Sequence, residues 1–322
     1  MTSPFHPDLR RIAAFLPRRA VGPRSLGLVR RIESASQGAA SIMRAFRRSR
    51  VDERIETIPL GPSSVRVHHP PVSSSAPHPA LLWIHGGGYV MGSAAQDDAL
   101  CRLVAERLGV LVAAVDYRLA PGHPFPVPLD DCHDALVWLA ARRDVDETRV
   151  AIGGASAGGG LGAGLALLAR DRGDVSPVLQ LLSYPMIDDR TALRHDVDER
   201  HYRLWNNAAN RFGWESYLGT APGSSSVSGL AVPARHEDLS GLPPAWLGVG
   251  TLDLFYDEDL VYADRLRAAG VQCDVELVSG AFHGFDSVRP NASITQEFRS
   301  AQIRALARAF RHESAEGATA RL

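Results

Sequence analysis

From about residue 52 the chain settles into short apolar runs separated by longer amphipathic stretches. RIETIPL, near residues 55–61, and the SVRVHH that follows it switch between apolar and polar side chains. That is the pattern of strands exposed on one face, and it predicts an antiparallel edge. The later runs are continuously apolar: ALLWIH (80–85), GVLVAAVDY (109–117), RVAIGG (149–154), VLQLLSY (178–184), AWLGVG (245–250) and CDVELVSG (273–280). Between them DDALCRLVAERLG, LDDCHDALVWLAARR and LVYADRLRAAG repeat their apolar residues every three or four positions. Strands apolar on both faces, alternating with amphipathic helices, predict an α/β fold: a mostly parallel central sheet with helices on both faces. A long helix over 293–312 closes the chain.

Two stretches break this alternation, residues 1–50 and 186–235. We read them as a cap over the carboxyl edge of the sheet, where open α/β sheets hold their ligands. The layout is then an N-terminal cap segment at 1–50, a catalytic domain from 51–185 and 236–322, and a cap insertion at 186–235. Residues 1–50 hold eleven Arg against only Asp8 and Glu33. No nucleic-acid motif accompanies that charge, so it reads as the solvated face of helices such as one over 38–49 rather than as a nucleic-acid arm.

Composition narrows the chemistry. With 45% hydrophobic and 22% charged residues in 322, there is ample material for a large core. All 35 basic residues are Arg, and the chain has no Lys. That removes the phosphate-binding loop, the protein-kinase site and the pyridoxal Schiff base in their usual forms. Cys101, Cys132 and Cys273 are widely spaced and odd in number, which suits buried apolar residues better than disulfides or a zinc site. No apolar run is long enough to span a bilayer, and Pro and paired Arg interrupt the first 25 residues where a signal peptide needs an apolar stretch. The expectation is a cytoplasmic protein with no stable membrane association.

The chemistry sits at two strand ends. RVAIGGASAGGGLGAGLALLA reads strand, turn, helix, and contains Gly154-Ala155-Ser156-Ala157-Gly158, a G-x-S-x-G. A serine raised on so sharp a turn needs Gly two residues before and two after it to avoid collision. The same stretch also fits a dinucleotide-type G-x-G-x-x-A from Gly158 to Ala163. There, however, the glycines fall inside the helix, and the next strand ends in Ser183-Tyr184-Pro185 instead of an acid. His85-Gly86-Gly87-Gly88 closes an earlier strand. Amides from Gly86, Gly87 and Gly88, with that of Ala157, can converge on the oxyanion formed when a serine attacks an acyl group. Asp253 follows AWLGVG and His283 follows CDVELVSG, so a nucleophile, an acid and a base appear in the order Ser156, Asp253, His283. Asp257 and Glu258 are rival acids, but they fall in the first turn of the next helix, where carboxylates act as caps. His85 reads as a brace for its loop and His123 as part of a turn. Trp205, Phe212, Trp214 and Tyr217 either line a substrate pocket or pack the cap together.

Taken together, HGGGYVMGS, DYRLAPGHPFP (116–126), GGASAGG, DLFYDE (253–258) and FHGF (282–285) resemble the hormone-sensitive-lipase-like carboxylesterases, a branch of the α/β-hydrolases. The resemblance covers about residues 55–312 in the right order. It implies a cofactor-free serine esterase under a helical cap, acting on small-molecule esters with short to medium acyl chains. Amidase, lactonase or carbamate-hydrolase activity, or a ligand-binding relative without turnover, fits the same fold. The resemblance also implies a homodimer through the last strand and its neighbouring helix, and a bracing role near the oxyanion loop for Asp116 and Arg118. Two positions depart from the family. Ala155 replaces the usual polar residue before the nucleophile, and Leu254 replaces the usual Pro after the acid.

Overall fold

A computed structural model describes residues 3–18, 21–32, 54–72 and 76–311. The helix expected over 38–49 lies outside them. Eight strands form a single sheet: β1 (Ile55–Leu60), β2 (Ser63–His68), β3 (His78–Ile84), β4 (Leu111–Asp116), β5 (Val145–Ala155), β6 (Gln180–Ser183), β7 (Ala245–Gly250) and β8 (Cys273–Val278). Their spatial order is β1-β2-β4-β3-β5-β6-β7-β8. β1 and β2 pair antiparallel, β2 joins β4 antiparallel, and every other pairing is parallel. The alternating runs thus became the antiparallel edge and the continuous runs the parallel strands; of these the last, β8, is the opposite edge, half-buried from Asp274 to Glu276 and exposed at Leu277.

β5 begins at Val145, ahead of the predicted RVAIGG, because Asp146 to Arg149 are polar and hide the early part of the strand. It pairs Val145 with His78, and a register shift separates that pair from Ala80–Val150.

Helices Asp98–Leu108, Val127–Ala140, Ala157–Arg172, Tyr256–Ala268 and Ser293–Arg311 cover the sheet. The helix Ala157–Arg172 is buried all round from Ala157 to Ala169. Its glycines at 158, 159, 160, 162 and 164 cost about 1 kcal/mol each against alanine in helix propensity. Close packing overrides that cost. A Cβ on Gly158 would stand 2.1 Å from the Ile84 carbonyl oxygen, and one on Gly154 would stand 2.3 Å from the Gly158 carbonyl oxygen. Only hydrogen at these positions lets the helix start against the ends of β3 and β5.

The segment 186–235 contains two short 3-10 turns, Asp189–Leu193 and Glu199–His201, then the helix Asn207–Leu218 and a last turn at Pro233–Arg235. The first two turns are nucleated locally: Asp188 and Asp198 each accept a hydrogen bond from the backbone N–H two residues on. Residues 3–18 lie against this segment and against the loop after β8. His6 N–H donates to Gly280 O at 2.9 Å, Leu204 N–H to Pro17 O at 2.8 Å, and the Arg203 guanidinium to Ala13 O at 2.5 Å. Arg30 adds donations to Val90 O and Ala120 O, tying residues 21–32 to the loops after β3 and β4.

Candidate active site

Ser156 stands between β5 and the helix Ala157–Arg172 with φ 57° and ψ −123°. That backbone region is costly for any residue with a Cβ. It is held by hydrogen bonds on both sides, from Ser156 N–H to Ser183 O at 2.9 Å and from Gly160 and Met186 N–H to Ser156 O at 3.0 Å.

Three polar side chains from three strand ends meet there. His283 Nε2 lies 2.9 Å from Ser156 Oγ, and His283 Nδ1 lies 2.9 Å from Asp253 Oδ2. The other carboxylate oxygen of Asp253 accepts from Phe255 N–H at 3.0 Å, which fixes the rotation of the carboxylate. Ser156 and His283 keep only 6% and 8% of their surface exposed, so the pair is nearly shut off from bulk water. Asp257 and Glu258 do not reach the histidine. Asp257 pairs with Arg194 at 2.6 Å. Glu258 accepts from Ile187 and Asp188 N–H at 2.9 and 3.1 Å and so anchors the start of the segment 186–235. Burial pushes the Glu258 carboxyl well up from its ordinary value.

The glycine loop runs past the serine. A Cβ on Gly86 would lie 3.3 Å from Ser156 Cβ. Gly87 and Gly88 both have positive φ, and among the described residues their amides have no backbone acceptor. Ala157 begins the helix immediately after the serine, where the helix dipole favours negative charge. His85 stacks on Tyr117 at 4.2 Å between ring centroids and places Nδ1 2.8 Å from Gly86 O, while the Tyr117 hydroxyl donates to His85 O at 3.0 Å. Burial holds the imidazole of His85 below its usual pKa, favouring the neutral ring. Asp116 accepts from Ala94 N–H at 3.0 Å, beyond the glycine loop. Arg118 does not touch that loop. It forks onto Asp131, with its closest contact at 2.7 Å, and locks the segment after β4 to the helix Val127–Ala140.

The sequence left other neighbours of His283 unseen. Tyr184 and Phe255 set their rings edge-on to its imidazole at 5.0 and 5.1 Å. The Tyr184 hydroxyl donates to Asp286 at 2.6 Å. Tyr184 was visible only as the residue before Pro185 at a strand tip, and nothing in the sequence singled out Asp286. Behind Ala155 lies a polar cavity of about 180 Å³ lined in part by Asp97, Ser183, Tyr184, Asp286 and Gln302. Burial, reinforced by the charges of Asp286 and Asp98, pushes the Asp97 carboxyl up to about 7.

Residues 81–287 match a family defined by the α/β-hydrolase fold. The esterase LipI of Mycobacterium tuberculosis is 36% identical over 231 residues, covering 70% of this chain and 72% of that one. The ethyl acetate hydrolase of Pseudomonas putida is 34% identical over 227 residues, covering 69% of this chain and 70% of its own. A bacterial heroin esterase superposes with a TM-score of 0.85 at 35% identity, covering 96% of this chain and 98% of its own. This chain belongs to the hormone-sensitive-lipase-like carboxylesterases of the α/β-hydrolase fold and is a carboxylic ester hydrolase.

Proposed function

We propose that Ser156, His283 and Asp253 carry ester hydrolysis through an acyl-serine. The supporting observation is the buried relay of two 2.9 Å contacts that ends on a serine in a strained turn. His283 takes the Ser156 proton as Oγ attacks the ester carbonyl, and gives it to the departing alkoxide. Asp253 holds the Nδ1–H tautomer and steadies the imidazolium. The amides of Gly87, Gly88 and Ala157, with Gly86 beside them, face the oxyanion. Water then repeats the sequence to release the acid. No cofactor enters these steps.

In this reading residues 1–50 and 186–235 form the cap, and 51–185 with 236–322 form the catalytic domain. The N-terminal contacts to Gly280, Pro17–Leu204 and Ala13–Arg203 favour that division, because they join the two outlying segments beside the histidine loop. The likeness to an ethyl acetate hydrolase supports a preference for esters with short to medium acyl chains. β8 is the sheet's far edge strand, with Leu277 exposed on it, and a homodimer through β8 and the neighbouring helix would cover that edge. Nitrophenyl esters from acetate to dodecanoate test the acyl preference. We expect kcat/KM to peak between two and eight carbons, and a maximum at dodecanoate would refute the preference.

A further inference from the structure

Ser156 and His283 stand on separate pieces of chain, one between β5 and the helix Ala157–Arg172, the other in the loop after β8. Proton transfer works only while Nε2 stays within reach of Oγ, and a misplacement of about 1 Å can cost a hundredfold in rate. Asp253 fixes the other nitrogen of the imidazole. The serine turn and the histidine loop must also be held to each other.

Tyr184 connects the two. Its neighbours in sequence bracket the nucleophile: Ser183 O accepts from Ser156 N–H at 2.9 Å, and Met186 N–H donates to Ser156 O at 3.0 Å. Its side chain crosses to the histidine loop. The ring centroid lies 5.0 Å from that of the imidazole at an interplanar angle of 70°, and the hydroxyl donates to Asp286 Oδ1 at 2.6 Å. Asp286 sits on the short helix Phe285–Val288, three residues after His283. A hydroxyl–carboxylate bond of that length is among the strong ones. Burial, and then the charge of Asp286, pushes the Tyr184 phenol well up from its ordinary pKa, so it stays the donor.

The tyrosine is itself held firmly. Its φ of 37° is strained for a residue with a Cβ, and its N–H donates to Gly248 O on β7 at 2.6 Å. Its ring stacks on Phe298, with centroids 6.2 Å apart and 13° between the planes. The carboxylate end is packed less closely. Asp286 and Tyr184 both border the cavity of about 180 Å³ behind Ala155, whose side chain is a single methyl. Atoms that line a cavity lose dispersion contacts on that side, so there a hydrogen bond does what packing does elsewhere.

We propose that Tyr184 is a positioning residue for the hydrolysis: through its bond to Asp286 it keeps the loop bearing His283 in register with the turn bearing Ser156. The proposal rests on the serine-esterase reading above. Since His283 serves both the attack of serine and the later attack of water, its displacement slows both steps and leaves KM in place.

The test is hydrolysis of nitrophenyl acetate by single and paired variants. Tyr184→Phe keeps the ring and removes only the hydroxyl; kcat should fall at least tenfold with KM within twofold of native. Asp286→Ala should cost the same, and the double variant should fall no more than threefold below either single, because both act through one bond. Asp286→Asn, which still offers an acceptor oxygen, should bring kcat back to within fivefold of native. Adding Tyr184→Phe to His283→Ala should change the residual rate less than twofold. A native kcat in Tyr184→Phe, a loss carried by KM, or a further tenfold loss in the His283→Ala background would each overturn the proposal. If Tyr184→Phe does not fold, the Asp286 variants decide, and equal kcat in Asp286→Ala and Asp286→Asn overturns it. Native hydrolysis in His283→Ala would instead remove the reading beneath it, and that result is separately observable.

Discussion

The sheet and the segments covering it are held together by different physics. In β3, the side chains from Ala80 to Ile84 are all buried, and the helix Ala157–Arg172 packs so tightly that several positions have no room for a Cβ. Between 186 and 235 exposed ion pairs brace the short turns over a buried layer that includes Asp189, Trp205, Trp214 and Tyr217. Arg190 pairs with Asp188, Arg194 with Asp196 and Asp257, and Arg200 with Asp198. The proposed triad of Ser156, His283 and Asp253 belongs to the first region, and positioning a nucleophile within a few tenths of an ångström calls for rigid strand ends. Trp205, buried against Gly88 with its ring tilted toward His283, belongs to the second.

Substitutions in the two regions should differ in kind. The largest effect is expected from Asp253→Asn, which keeps the shape but favours the wrong histidine tautomer. We expect kcat to fall by about 10⁴, with thermal unfolding nearly unchanged. A fall below tenfold would detach the acid from the chemistry. Next comes Gly158→Val, which drives a side chain into the Ile84 carbonyl. A loss of about 3 kcal/mol or more, read by denaturant unfolding or by loss of soluble protein, is expected. Native stability there would show that the helix start is not close-packed. The smallest effect is that of Arg194→Ala, whose partners Asp196 and Asp257 are 72% and 63% exposed. Its cost should stay below about 1 kcal/mol. A cost matching that of Gly158→Val would erase the distinction between the two regions.

The same division explains what could be read from the chain. The parallel strands were legible because burial on both faces forces continuous apolar runs. Ser156, Asp253 and His283 were legible because each follows such a run. The glycines around Ser156 also marked the turn, since few other residues fit it. The polar beginning of β5 was not legible, because Asp146, Glu147, Thr148 and Arg149 carry no apolar alternation. The brace from Arg118 to Asp131 and the anchor from Glu258 to Ile187 and Asp188 were also hidden, since long-range polar pairs leave no periodicity. Trp205 was visible as an aromatic residue, but its place beside Gly88 and His283 depends on how an aperiodic segment folds back.

The most direct test is trapping. Intact-mass and peptide analysis after treatment with a fluorophosphonate should find one adduct on the native enzyme, on the peptide carrying Ser156. The Ser156→Ala enzyme, folded to the same melting temperature, should take up none and lose ester hydrolysis by about 10⁴ or more. An adduct on any other residue, or hydrolysis that survives Ser156→Ala, would contradict the convergence of Ser156, His283 and Asp253 as the working site.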